Sequence, residues 1–127
     1  MISYTTYKMI HFVGIFTVVA ALAAFLGQTA SSDAPLARAP WSKRLAVAHG
    51  VGLFLILLGG FGMLARLDIT HQVGGLPGWI WVKLALWTAL GAGVTVARRR
   101  PEWSGPLLVL APLLAFLAGA VALTKPL

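Results

Sequence analysis

An all-α membrane protein, built as an up-down bundle of four transmembrane helices, is the fold class this sequence predicts. Three observations lead to it. Of the 127 residues, 59% are hydrophobic and 10% are charged, with a mean hydropathy of +0.88; a soluble domain is about a quarter charged. So small a globule cannot hide that much apolar surface, because small domains bury the smallest share of theirs. The apolar residues also gather into four runs, each close to the roughly 20 residues that cross a hydrocarbon core. Finally, the net charge of +7 sits in short segments between the runs. It therefore reads as bilayer orientation and not as a nucleic-acid surface. The chain reads as one domain. It contains no Cys, which excludes disulfides, thiolate metal sites and c-type haem attachment.

The first run covers residues 7–27. Thr29-Ala30-Ser31-Ser32 has the small, polar character of a cleavage site. The apolar region nevertheless outruns a signal core and only Lys8 precedes it, so a membrane helix is expected. A polar linker with Pro35, Pro40 and Trp41 follows, then a second run over 45–65. A glycine-rich turn through Gly74, Gly75 and Gly78 leads into the third run, 79–97. The fourth covers 106–123, with Pro106 suited to a first helical position and Pro112 expected to kink it.

Four helices with short loops alternate in direction, so the first and third loops share a side. They carry Arg38, Lys43, Arg44, Arg98, Arg99 and Arg100, against Lys8, Arg66, Lys83 and Lys125 opposite. The positive excess assigns the first side to the cytoplasm. Both termini and the turn after Arg66 then face outward, toward the periplasm of a bacterial-type inner membrane. Trp41, Trp79, Trp81 and Trp103 fall at predicted helix ends, where interfacial aromatics belong. Small residues recur every fourth position: Ala20 and Ala24; Ala48 and Gly52; Ala85, Ala89, Gly93 and Ala97; Ala111, Ala115 and Gly119. Such ridges let helix backbones approach closely in lipid. They fit a tight bundle, a homo-oligomer or a membrane-complex partner alike.

The chemistry-bearing residues are few. His11 lies about one turn inside the first helix, and an ionisable residue there tends to face the bundle interior. Gly14 shares its face. A histidine beside a bare backbone patch suits a flat macrocycle, with the imidazole on the metal and room left for the ring. The structural alternative is a histidine bonded to a carbonyl of a neighbouring helix. His49 has the same relation to Gly52 but enters from the opposite face. The two imidazoles should be separated by roughly 12–18 Å along the membrane normal, too far to ligate one haem from both sides. His49 therefore belongs to a second site or to a packed crossing. His71, in the outward turn, is either solvated or a partner for His11.

Lys83 shares a helical stripe with Trp79 and Trp87. It either snorkels to the interface over Trp79 or anchors an anion such as a porphyrin propionate. Asp68 is the acid available to it or to Arg66 on that side. There are no paired carboxylates, no nucleotide loop and no zinc spacing. Thr17, Thr88 and Thr95 are the only polar side chains near helix centres, which speaks against a channel or transporter.

Three stretches carry a family resemblance: Tyr7-Lys8-Met9-Ile10-His11, Lys43-Arg44-Leu45-Ala46, and Gly78-Trp79-Ile80-Trp81-Val82-Lys83-Leu84-Ala85-Leu86. Together they resemble the small membrane haem and porphyrin proteins of the HemJ-type protoporphyrinogen IX oxidase group. The chain is also broadly similar to compact four-helix membrane proteins of the copper-resistance D and cytochrome b561 kind. The resemblance implies b-type haem and a membrane oxidoreductase, with the first-helix histidine and third-helix lysine important. Those roles fall on His11 and Lys83. The chain departs from the group after the first helix, where residues 27–34 hold no base or aromatic. Two functions are thus expected. One is a haem or porphyrin redox protein acting on a quinone or lipophilic porphyrin, with His11 as metal ligand and Gly14, Lys83, His49 and His71 as further candidates. The other is a non-catalytic scaffold or accessory subunit.

Overall fold

The computed structural model describes residues 2–31, 42–67 and 74–124. Arg38, Trp41, Asp68, His71 and Lys125 lie outside them. The described chain is all α-helical, and four helical spans are each long and apolar enough to cross a bilayer. They are α1 (Tyr4–Ser31), α2 (Ser42–Leu67), a third span divided into α3 (Gly78–Gly91) and α4 (Gly93–Arg99), and α5 (Ser104–Thr124), which follows a short 3₁₀ turn (Pro101–Trp103).

The helices outrun the apolar runs that predict them. Ser3 caps α1: its Oγ accepts from the Thr6 N–H at 3.2 Å, so the helix starts a turn before the apolar pattern does. At the other end Thr29 and Ser31 return their hydroxyls to the carbonyls of Phe25 and Gly27, at 2.9 and 2.7 Å. With those groups satisfied, the helix continues into the polar linker. Its 28 residues measure roughly 42 Å, longer than a hydrocarbon core of about 30 Å, so its ends reach headgroup depth. Gly74, at φ 70°, makes the turn into α3 in a conformation that other residues rarely adopt.

Glycines set the α1–α2 crossing. A methyl added at Gly14 would stand 2.7 Å from the Ile56 nitrogen and 2.8 Å from the Gly52 carbonyl. One at Gly52 would stand 2.8 Å from Val18 Cγ2. One at Gly59 would stand 2.5 Å from the His11 nitrogen. These are close antiparallel backbones of the kind small residues permit in lipid. The ridges expected elsewhere are used only in part. Gly93 packs on Leu22, and Ala97 and Ala111 join the core. Ala20, Ala24, Ala85 and Ala89 face outward, and Gly119 meets nothing within 4 Å. A four-residue repeat overshoots the 3.6-residue turn by about 40° per step, so a long ridge rotates off its own interface.

The main core lies toward the arginine-bearing end, where Leu22, Phe25 and Leu26 meet Leu90, Val94, Ala97 and Ala111. The third span is divided at Ala92, which keeps right-handed helical angles (φ −73°, ψ −13°) and its flanking bonds: Ala92 N donates to Thr88 O and Val96 N to Ala92 O, both at 2.9 Å. The fourth span starts at Ser104, two residues before Pro106, and runs through Pro112 as one helix. Phe16, Phe54 and Phe116 are 70%, 62% and 71% exposed. Apolar surface on this scale belongs against lipid.

Candidate functional site

His11 is the best-defined candidate. It is buried, 7% exposed, where α1 crosses α2. Its Nδ1 lies 2.8 Å from the Ile56 carbonyl oxygen. A carbonyl can only accept, so Nδ1 carries the hydrogen; in the neutral ring the lone pair is then on Nε2. The Ile56 oxygen has a second lone pair for its own helix, so the bond costs α2 nothing. The seat of the ring is a glycine pair. Gly59 lets the two backbones touch, and a methyl at Gly60 would stand 3.5 Å from His11 Cε1 and Nδ1. Neither glycine stands out from periodicity. The available signal was their cost, since two adjacent glycines weaken a helix interior by about 1 kcal/mol each.

Lys83 enters from α3. It is partly buried, and near enough for its charge to act on His11. Among the described residues it has no carboxylate partner. The only carboxylate there, Glu102, pairs with Arg100 at 3.7 Å at the other end of the bundle. One turn deeper than Lys83, Trp87 Nε1 donates to the Leu53 carbonyl at 3.1 Å. That bond ties α3 to α2. Elsewhere α2 and α3 barely touch, whereas α2 packs along the length of α1. Ile56, which receives His11, is three residues along α2 from Leu53, so His11 and Lys83 lie toward the same end of the bundle.

Gly14 stands elsewhere. It shares a face with His11, but its open side is taken by the α2 backbone at Gly52 and Ile56. It serves the helix crossing and leaves no gap for a macrocycle.

His49 is buried deeper, 3% exposed, and its Nε2 has no hydrogen-bond partner. Gly59 backs onto His11, and His49 precedes Gly59 by ten residues of α2, or about 15 Å of rise. The two imidazoles do not share a site. His71 lies outside the described residues. Nowhere among the described residues do three His, Cys, Asp or Glu side chains gather as a metal-binding group. The arrangement at His11 offers one nitrogen donor and one nearby cation. That donor set suits a cofactor bringing its own equatorial ligands and an acidic substituent, and it does not suit a bare metal ion. Comparisons with protein-family models, curated proteins and solved structures find no match for this chain.

Proposed function

We propose that the chain is an integral membrane redox protein that binds b-type haem, or a related porphyrin, through His11 and Lys83. What supports this reading is the His11 Nδ1 bond to the Ile56 carbonyl, a bond that a histidine packed at a helix crossing also makes and that leaves Nε2 as the nitrogen for a metal. Ligating histidines are characteristically held through their second nitrogen by a carbonyl or carboxylate, which fixes the tautomer and aims the other nitrogen at the metal. His11 would hold the metal of such a group through Nε2, and Lys83 would supply countercharge to a propionate. Gly14 takes no part, because α2 fills its side. Among the described residues no second imidazole reaches the layer of His11. Bound there, haem would supply one-electron chemistry. The chain would supply the ligand nitrogen and the countercharge.

In this reading the substrate is a quinone or a lipophilic porphyrin arriving through the bilayer. The scarcity of polar side chains near helix centres favours that route over an aqueous one. The arginine-bearing end faces the cytoplasm of a bacterial-type inner membrane, and the site and both termini lie toward the outside.

A second reading, a membrane scaffold or accessory subunit, is favoured by the outward-facing Ala85 and Ala89 on α3 and by the largely uncovered α5. An absorption spectrum separates the two. The redox reading expects a Soret band in protein purified from haem-sufficient cells, and its loss in His11→Ala. The scaffold reading expects a colourless protein in which His11→Ala and Lys83→Met leave partner association intact.

A further inference from the structure

At the opposite end of the bundle, the outer face of α5 carries a shallow, open apolar groove of about 540 Å³ along a single helix, lined by Trp103, Pro106, Leu107, Val109, Leu110 and Leu113. From Trp103 to Leu113 is ten residues, or about 15 Å of helix rise. That is half of a hydrocarbon core about 30 Å thick, the depth of one leaflet. The groove therefore runs from the interface to the midplane, along the path of one acyl chain. Its mouth is basic. The Arg100 guanidinium lies 5.6 Å over the Trp103 ring, so the residue that roofs the groove also carries a cation. Arg99 is exposed one residue before Arg100, while Arg98 lies over the Phe25 ring of α1, 5.7 Å from its centroid. The opposing charge is Glu102, which is 3.7 Å from Arg100, with both side chains about 60% exposed. An ion pair that open contributes little and exchanges readily for another anion.

We infer that this groove is a binding site for one anionic phospholipid, its phosphate on Arg100 and its acyl chain against α5. Charge complementarity selects the occupant: a zwitterionic lipid fits the apolar wall equally well but brings its own cation to the arginines. The site is independent of the cofactor reading.

The test is native mass spectrometry of the full chain, delipidated in detergent and titrated with phosphatidylglycerol or phosphatidylcholine of identical acyl chains. The expected result is one phosphatidylglycerol held in clear preference to phosphatidylcholine. Arg100→Gln should weaken phosphatidylglycerol binding about fivefold, the effect of one basic residue near an anionic headgroup. Glu102→Gln should strengthen it, and Leu110→Trp, which fills the groove, should weaken both lipids. Arg100 and Glu102 are exposed, so those two variants keep the fold, and helical content measured by circular dichroism checks this. Equal retention of the two lipids, or unchanged binding in Arg100→Gln, overturns the inference. So does a phosphatidylglycerol preference that inorganic phosphate at millimolar concentration abolishes, because the acyl groove would then contribute nothing.

Discussion

Gly59→Ala tests how the fold makes the site. The added methyl would stand 2.5 Å from the His11 nitrogen, 2.6 Å from the Tyr7 carbonyl oxygen and 2.7 Å from the His11 Cα. Carbon contacts are comfortable at about 3.5–4.0 Å, so α1 and α2 must separate by about 1 Å. All three obstacles are backbone atoms, and no side chain can rotate away to relieve them. Overpacking of this kind costs about 1–3 kcal/mol, and rigid neighbours place Gly59→Ala at the upper end. For a chain of this size that is a fall in Tm of about 5–15 °C. Retreat of α2 also draws the Ile56 carbonyl away from His11 Nδ1, so any bound cofactor should be lost together with stability. The assay is thermal unfolding in detergent, followed by tryptophan fluorescence and circular dichroism. Gly27→Ala is the control, since a methyl there meets nothing within 4 Å. A Gly59→Ala protein as stable as wild type would refute the glycine crossing as the seat of His11.

Trp87→Phe removes the Nε1 bond to the Leu53 carbonyl. It should cost about 0.5–1.5 kcal/mol in the same unfolding assay and loosen the tie between α2 and α3. Ser3→Ala deletes the cap of α1 and should cost about 1 kcal/mol, visible as faster amide exchange in the first turn. Lys83→Met should leave unfolding unchanged, because no described carboxylate pairs with Lys83. In titrations of the apo-protein with haem it should weaken binding about fivefold or more, as expected for loss of one desolvated countercharge.

The four spans were legible because lipid imposes one strong condition, about twenty apolar residues in a row, and the chain meets it four times. Their ends were not, because capping by Ser3 and the back-bonded Thr29 and Ser31 extend α1 where hydropathy falls away. The break at Ala92 was also hidden. The Gly91-Ala92-Gly93 segment looks like any small stretch of a membrane helix. At the site, the burial of His11 was readable from the cost of placing an imidazole in hydrocarbon. The role of Gly14 was not. A bare backbone patch serves a ligand and a neighbouring helix equally well on paper, and only the register of α1 on α2 decides between them. Gly59 and Gly60 escaped notice for the same reason, since their partner is 48 residues away from Gly59 along the chain, at His11.

If His11 Nε2 is a ligand nitrogen, one absorption spectrum reports it. The chain should be purified in mild detergent from haem-sufficient cells and its absorbance recorded oxidised and reduced, beside His11→Ala prepared identically. The expected result is a Soret band with a reduced-state shift in the parent protein, and its disappearance in a His11→Ala protein that remains helical. A colourless parent protein, or a band that survives His11→Ala unchanged, contradicts it.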